Sequence, residues 1–395
     1  MHIRIRKEKF GYVLFDRETR EHYFVSTQQT IESLSEKGII GFLKSYYKVS
    51  EDLEYSFIFP PTNNLDLSAP VGIYLEISER CNMECRHCYK PTPKKVKALG
   101  TRVKKLLLNE LACVGVFEIR LCGNEPTASP DFFEICQFIK DLGLYLGVNT
   151  NAYFDYTMSR KIIQLNPNFV AVSIDGNETT HDSIRRMGSY KKAVNFLEAL
   201  SSTKIKRRIN TVLSQLTIDK IGYTVQLAND LGTDVSFLPF RPIGRESSMK
   251  MDKYLTKESM YKAVSEITEL REKYPNVRLL TYFDILDQKV IYHHSMDFNS
   301  PCPARKNGFI SYYGDFFPCD FLRYLGDKFL CGNVYKNGFW RIWAESRVLK
   351  SFQAIEHQKC KECNFYMKKC YGGCVCGSKT SLDSIEDELC FINLL

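Results

Sequence analysis

A regular alternation of strand-like and helix-like segments between about residues 70 and 275 constrains the fold most strongly. The strand-like runs are short and apolar, and the helix-like runs carry apolar residues every three to four positions. Because parallel strands need crossover connections, six such units predict a parallel sheet, which would form a partial barrel if it curves, with ligand sites at the carboxyl ends of its strands. The predicted strands are 72–78, 117–121, 145–149, 169–174, 208–213 and 234–240, and the predicted helices are 101–114, 131–142, 156–164, 190–200, 218–231 and 257–274.

Residues 1–65 follow a different pattern, which predicts a separate module. Two β-rich runs, 11–16 and 22–26, flank a polar stretch and predict a hairpin that helices follow. Turn-forming residues at 60–64 separate this module from the barrel, which spans about 70–275.

Cysteine is the unusual component, with 15 copies. Their odd number and clustering indicate metal binding or catalysis rather than disulfides, and residues 295–395 have the Cys- and Gly-rich texture of a small domain held by metal. The start of the chain lacks a signal-peptide pattern and no window is apolar enough to span a membrane, so we expect a cytoplasmic protein without a membrane partner. The net charge of +8 is too mild to indicate nucleic-acid binding.

The first cysteine cluster follows the first predicted strand, with the spacing C-x3-C-x2-C at Cys81, Cys85 and Cys88. Three thiolates can bind three irons of a [4Fe-4S] cluster and leave the fourth iron open. The alternative is a zinc site or free cysteines, although structural zinc prefers four ligands.

This cluster resembles the signature of the radical S-adenosylmethionine (SAM) superfamily, with His87 at its aromatic position. The resemblance implies a partial (β/α)6 TIM-like barrel, SAM on the open iron, and a 5'-deoxyadenosyl radical that abstracts hydrogen. Segments after later strands resemble the family's SAM-binding motifs: 122–126 for the amino group, and 149–151 and 173–185 for the ribose and carboxylate. The SAM-contacting residues implied are His87, Tyr89, Gly123, Asn124, Glu125, Asn151, Ser173, Asp175 and Arg185.

The C-terminal cysteines resemble the SPASM domain, an extension of radical SAM enzymes that carries two auxiliary [4Fe-4S] clusters. By this resemblance the second auxiliary cluster is held by Cys360, Cys363, Cys370 and Cys390, and the first by Cys302, Cys319 and Cys374. The first is one ligand short, so either Cys331 or Cys376 completes it or its iron is open to a substrate thiolate. Three clusters and SAM are therefore expected. Asp284 matches the catalytic base of sulfatase-maturing relatives, although a helix cap is the alternative.

The N-terminal module resembles the winged-helix-like element with which some enzymes recognise ribosomally made peptides. There the leader of a precursor peptide adds a strand to the sheet edge. The basic start, Arg4, Arg6, Lys7 and Lys9, suits an acidic leader, while a charge-protected edge strand is the alternative.

Together these features predict a radical SAM/SPASM peptide maturase that binds the leader of a precursor peptide and takes electrons from a reductant such as flavodoxin or ferredoxin. The expected product is an oxidative cross-link, a thioether first and a carbon–carbon bond second. The alternatives are a sulfatase-type maturase that generates formylglycine and a non-catalytic iron–sulfur electron carrier. A carrier would need no SAM pocket.

Overall fold

The computed structural model describes residues 2–18, 20, 22–26, 54–61, 67–90, 100–243, 254–281, 304, 306–353, 360–364, 374, 376 and 387–390. The helices predicted to follow the N-terminal hairpin lie outside these residues. Within the described part of the chain, no helix is long and apolar enough to cross a membrane.

The N-terminal module contains a four-stranded sheet with the order β3-β2-β1-β4. Its strands are β1 (His2–Glu8), β2 (Gly11–Asp16), β3 (His22–Ser26) and β4 (Glu54–Ile58). The predicted hairpin is confirmed, because β2 pairs with β3 in antiparallel register. The sequence did not predict β1, which pairs with β2 in antiparallel and with β4 in parallel register.

The central sheet has ten strands in the order β11-β10-β9-β8-β7-β6-β5-β12-β13-β14. The strands from β5 to β11 run parallel, as does β12 beside β5, and all six predicted strands are present. The bounds are β5 (Gly72–Glu76), β6 (Glu118–Cys122), β7 (Tyr145–Thr150), β8 (Phe169–Ser173), β9 (Lys206–Leu213), β10 (Asp234–Pro239), β11 (Leu279–Leu280), β12 (Asn307–Ile310), β13 (Asp315–Phe317) and β14 (Gly332–Asn333).

Helices connect the parallel strands at the six predicted places, and one further short helix precedes the fourth of them. These helices are α1 (Thr101–Cys113), α2 (Phe132–Asp141), α3 (Tyr156–Leu165), α4 (Glu178–Ile184), α5 (Ser189–Ser201), α6 (Ile221–Asp230) and α7 (Lys257–Lys273). Three short helices follow β14: α8 (Val334–Asn337), α9 (Phe339–Glu345) and α10 (Arg347–Gln353). Short 3-10 turns span Pro126–Ala128, Ile218–Lys220, Asp320–Tyr324 and Asp327–Phe329.

The central sheet curves around a cavity, because residues of β5 and of β10, five strands away, line the same space. Side chains alternate between the two faces of a strand, so every second residue points inward. On β6 the inward residues include Arg120 and Cys122, and on β9 they include Arg208 and Asn210. The sheet is thus an open, curved one whose concave face forms the site.

The N-terminal sheet packs against the amino ends of the central strands, on the side opposite to the predicted SAM site. Phe15 of β2 stacks on Phe117 with ring centroids 5.3 Å apart and meets Tyr145 edge-on. Arg20, beside this sheet, donates to both carboxylate oxygens of Glu118 at the start of β6, at 2.8 and 2.9 Å. Both sheets therefore share one apolar core.

Arg6 holds the N-terminal sheet against the central sheet. Its guanidinium is fully buried, pairs with Glu8 at 2.6 Å, and donates to the carbonyl oxygens of Ala69, Pro70 and Gly115 at 2.6–2.9 Å. The expectation that Arg6 presents its charge to an acidic leader is therefore wrong. Lys7 and Lys9 are exposed.

Candidate functional site

The three clustered cysteines lie in one loop at the carboxyl end of β5. The Cys88 amide donates to the Cys85 carbonyl at 3.1 Å, which closes a tight turn between these two residues. Arg185 Nη1 lies 4.0 Å from Cys85 Sγ, and Asn151 Nδ2 lies 3.8 Å from Cys81 Sγ. Burial raises the pKa of the Cys85 thiol, while the nearby Arg185 cation acts to lower it.

This donor set fits an iron–sulfur cluster. The three thiols belong to one loop, and Arg185 and Asn151 lie beside two of them. A [4Fe-4S] cluster spreads its ligands, because each thiolate binds a different iron, and donors to its sulfur atoms tune it. The contacts of Arg185 and Asn151 with the thiols supply such donors.

A second corner of the site is formed by the turn after β6. Gly123 has φ +109°, and a Cβ atom there would lie 2.5 Å from Glu76 Cγ, so only glycine fits. Glu125 is fully buried; its Oε1 accepts from Thr127 and Thr150, and its Oε2 accepts from the Asn151 amide at 2.8 Å. Burial raises the pKa of Glu125. This carboxylate therefore joins the ends of β6 and β7, and Oε2 keeps an acceptor site.

Asp175 links the loop after β8 to the cysteine loop. Its Oδ2 accepts from Arg185 Nε at 2.6 Å and lies 2.8 Å from His87 Nε2, and its Oδ1 accepts from the Val212 amide. Burial acts to raise the pKa of Asp175, but Arg185 and His87 outweigh it and hold that pKa well below its usual range. His87 and Arg185 are thereby oriented beside the cysteines by an ionised acid.

The other predicted SAM contacts lie around the same edge of the sheet. The Asn124 side chain donates to the Glu79 carbonyl at 2.8 Å, and the Asn151 side chain donates to Asn82 at the same distance. Ser173, the last residue of β8, is half-buried. The structure thus brings the turns after β5, β6, β7 and β8 together.

Tyr89 and Lys90, just after the cysteine loop, reach a buried ionic network that sequence reasoning missed. Tyr89 and Lys90 each donate to Asp320 Oδ2 at 2.7 Å, Lys90 also contacts Glu76 Oε1 at 3.3 Å, and Arg323 binds Glu76 Oε2 at 2.8 Å. Burial acts to lower the pKa of Lys90, but Asp320 and Glu76 outweigh it and raise that pKa. The network joins the cysteine loop to the segment after Cys319.

A cavity of about 220 Å³ lies inside the curved sheet, next to the predicted SAM site. Tyr89 and Cys122 line it close to the cysteine loop and the Gly123 turn, and Asp320 lines it as well. The Oδ1 atom of Asp320 is buried without a hydrogen bond to any described residue and lies 3.8 Å from Arg323 Nη1. Deeper in the barrel the wall carries Arg120 and Arg208. A substrate in this cavity would contact the same loops as SAM.

The C-terminal cysteines are described in part. Cys376 hydrogen bonds with both Cys319 and Cys374, whereas Cys331 packs against the main core away from them. These hydrogen bonds lower the pKa of Cys374 and raise the pKa of Cys376. Cys360 and Cys363 share a turn, since the Cys363 amide donates to the Cys360 carbonyl at 2.9 Å.

Asp387 holds two of these cysteine segments. It accepts from the Cys374 amide at 2.9 Å, and its carbonyl accepts from the Cys390 amide at 2.9 Å. Arg241, just after β10, binds Asp387 through two bonds of 2.6 Å. Cys302, Cys370 and Asp284, which the sequence also predicted, lie outside the described residues.

The sequence profile of the radical SAM superfamily matches residues 75–228, and that of the SPASM iron–sulfur cluster-binding domain matches residues 302–364. The mycofactocin maturase MftC of Mycolicibacterium smegmatis is 26% identical over 78% of this chain and 79% of its own length. The AdoMet-dependent heme synthase of Methanosarcina barkeri is 28% identical over 81% of this chain and 96% of its own.

A solved structure of similar fold is that of SuiB from Streptococcus suis. Its complex with S-adenosylmethionine has a TM-score of 0.77 at 16% identity, and its complex with the precursor peptide SuiA has a TM-score of 0.75 at 15% identity. Both cover 98% of this chain and 98% of SuiB. The likeness therefore extends over the N-terminal sheet as well as the curved central sheet.

Proposed function

We propose that this chain, which belongs to the radical SAM superfamily and carries a SPASM domain, is an enzyme that binds a ribosomally made precursor peptide and installs an oxidative cross-link in it. Iron–sulfur clusters and SAM are its cofactors. The relatives differ in substrate by their names, since one is a maturase and another a heme synthase. The observation that carries the proposal is the additional N-terminal sheet, built on the opposite side of the barrel from the SAM site.

This sheet offers a peptide two edges. Within the described residues β3 and β4 are its outer strands, and neither has a further strand beside it. On β4, Tyr55 and Phe57 form a row with Phe59 just beyond it, and Tyr55 and Phe59 are 45% and 66% exposed. An extended leader that adds a strand gains backbone hydrogen bonds, and such aromatic side chains provide contacts that select its sequence. Residues 1–65 therefore serve as the proposed recognition module.

The cofactors supply a 5'-deoxyadenosyl radical when bound. In the proposal Cys81, Cys85 and Cys88 hold the SAM-binding cluster, and the turns of Gly123, Asn151 and Ser173 hold SAM. The cavity orients the substrate residue and keeps water from it. A cross-link removes two hydrogens from the peptide, so after the first has left as an atom the second leaves as a proton and an electron.

The proton needs an acceptor at the cavity wall. Asp320 is a candidate for this step, since it lines the cavity and its Oδ1 accepts no hydrogen bond from the described part of the chain, while Tyr89 and Lys90 hold Oδ2. Asp284 stays a prediction for the same role. The SPASM cysteines would hold the two auxiliary clusters that accept the electron, giving three clusters in all.

The position of Cys376 indicates which type of cross-link the enzyme forms in the peptide. Because Cys376 contacts Cys319 and Cys374, it supports a first auxiliary cluster with four protein ligands. A fully ligated cluster leaves no iron for a substrate thiolate, which favours a carbon–carbon link over the thioether that the sequence suggested first. The thioether requires that Cys376 stay unligated.

Hydrogen exchange on the full-length holoprotein tests leader recognition. The probe is a candidate precursor peptide with its leader, compared with the same peptide without the leader. We expect the complete peptide to protect backbone amides of β3 or β4, and the shortened one to leave them unchanged. Amides of α7, far from this sheet in sequence, serve as the control. Equal exchange in β3 and β4 with and without peptide would contradict the proposal.

A further inference from the structure

Among the described side chains around Phe169, at the deep end of the cavity, cations outnumber carboxylates. Three guanidinium groups, those of Arg20, Arg120 and Arg208, surround the ring of Phe169, with Cζ atoms 5.4, 4.8 and 5.0 Å from its centroid. One carboxylate, Glu118, pairs with Arg20 and with Arg120, each at 2.8 Å. The ionic network near Asp320, by contrast, contains two cations and two carboxylates.

Among the described residues, Arg208 has no carboxylate within ion-pair distance. Its Nε donates to Asn210 Oδ1 at 3.2 Å. Asp234, opposite Arg208 on β10, attracts the guanidinium from beyond ion-pair distance and offsets only part of the cost of burying it. Burial first, and then repulsion from Arg120 and Arg20, lower the pKa of Arg208 to about 9. A buried charge without a partner is costly, so this arrangement favours an anion in the cavity.

Arg120 offers a second donor at the same place. It is 3% exposed, its Nη2 is bound to Glu118, its Nη1 donates to Tyr74 at 3.3 Å, and its Nε is buried without a partner. Two guanidinium groups lining one cavity match a carboxylate, which can accept from both.

We propose that Arg120 and Arg208 bind a carboxylate of the peptide segment that enters the cavity. This inference rests on the proposed function and specifies its substrate class: a core segment with an acidic side chain or a free C-terminus next to the reacting residue. The neutral network at Asp320 would face the reacting end, and the arginines would hold the anionic end. The carboxylate would thus set how far the segment enters the barrel.

Equilibrium dialysis of small probes against the reconstituted holoprotein tests this directly. N-acetylglutamate N-methylamide presents a side-chain carboxylate, N-acetylalanine presents a C-terminal one, and N-acetylglutamine N-methylamide is the neutral match. We expect one or both acids to bind at least about tenfold more tightly than the amide, as charge-assisted hydrogen bonds predict. The acid that binds better identifies the source of the carboxylate. Equal binding of all three would overturn the inference.

Substitutions of Arg208 test whether this residue is responsible for the preference for the acid. Arg208→Gln should lose the preference for the acid over the amide, and Arg208→Lys should keep part of that preference. Arg207→Gln is the matched control, because Arg207 is the adjacent residue on β9 and donates to the Leu231 carbonyl instead. An acid preference that survives Arg208→Gln would contradict the assignment. Should Arg208→Gln not fold, the acid–amide comparison on the unchanged protein still decides.

The outcomes separate this inference from the proposed function. A protein that modifies its peptide but does not distinguish acid from amide would refute the carboxylate site alone. A protein that prefers the acids but neither binds nor changes any precursor peptide would refute the proposed function alone.

Discussion

His181 shows how one buried residue makes this site sensitive to acid. It is fully buried beside Asp175 at the predicted SAM site, and its Nδ1 accepts from the Asp175 amide at 3.1 Å. That acceptor exists only in the neutral ring. Burial, with the Arg185 cation nearby, lowers the pKa of His181 to about 4 from its usual 6.5.

Stability should therefore fall as the pH falls through this window. Between pH 6.5 and 4, His181 is protonated in the unfolded chain but stays neutral in the folded chain. Lowering the pH therefore decreases the free energy of unfolding, and His181 contributes about 2 kcal/mol of this decrease at pH 5. Denaturant unfolding at pH 7 and pH 5 measures the change. His181→Asn should show a smaller decrease than the unchanged protein, and an identical decrease would contradict the assignment.

Gly123 leads to a second residue-level prediction. Alanine at this position should weaken SAM binding by about tenfold, because its Cβ would push into Glu76 and displace the turn. Gly143→Ala is the control: Gly143 has φ +68°, so alanine suffers similar backbone strain, yet a Cβ there meets nothing within 4 Å. Equilibrium dialysis of SAM against both holoproteins gives the comparison. Equal losses would assign the effect to general strain.

At this scale the sequence identified the residues that gather at this edge of the sheet better than it identified their partners; their contacts with SAM stay a prediction. Cys81, Cys85 and Cys88 are recognisable by spacing, and His87 and Arg185 lie beside them as expected. The sequence did not reveal that His87 and Arg185 meet on Asp175, or that Tyr89 turns toward Asp320, which is 231 residues away. Such pairs depend on how distant strands align, and spacing within one loop carries no such information.

Among the structural elements, the N-terminal sheet depends on Arg6. Arg6→Met should leave Glu8 and three carbonyl groups without their buried partner and destabilise the attachment of β1 by about 3–5 kcal/mol. Lys7→Met, at the adjacent exposed position, should change stability by no more than about 0.5 kcal/mol. Hydrogen exchange of the β1 and β2 amides measures both variants. Unchanged protection in Arg6→Met would show that apolar packing alone holds the sheet.

The C-terminal cysteine segments depend in the same way on Arg241. Arg241→Gln should release Asp387 and with it the Cys374 and Cys390 segments, so reconstituted protein should lose about four or more irons per chain. Arg341→Gln, which removes an exposed pair with Glu345, should keep the full iron count. An unchanged count in Arg241→Gln would mean that the clusters assemble without this ion pair.

The helices and parallel strands were predictable because their apolar periodicity repeats over six similar units. The strands β1 and β12 were not predictable, for different reasons. β1 contains Arg4, Arg6 and Lys7, so its sequence lacks the apolar character of a buried strand, although Arg6 is buried. β12 is four residues long and is fixed by pairing with β5, which precedes it by 235 residues. Its own sequence is too short to show a period.

In the whole molecule, one continuous sheet crosses the boundary that the sequence suggested between the barrel and the cysteine-rich unit. The sequence predicted a barrel at 70–275 and a cysteine-rich unit at 295–395, yet β12 extends the barrel sheet and β13 and β14 continue it. The Asp320 network and the Arg241–Asp387 pair then join the cysteine segments to the cavity wall. Electron acceptors placed there would lie directly beside the substrate.

Replacing Cys81, Cys85 and Cys88 together with alanine tests whether the clusters are independent. Such protein should no longer cleave SAM but should retain roughly eight irons, those of two auxiliary clusters. Iron and sulfide analysis with a SAM cleavage assay measures both properties. Persistent cleavage would contradict the assignment of these three ligands.

The central claim is that the radical made at this site cross-links a precursor peptide, and product stoichiometry tests it most directly. Reconstituted protein is incubated without oxygen with SAM, dithionite and the precursor peptide, and 5'-deoxyadenosine and peptide mass are followed together. We predict that each 5'-deoxyadenosine accompanies one peptide that has lost two hydrogen atoms. SAM cleavage that proceeds while every precursor keeps its mass would contradict the account.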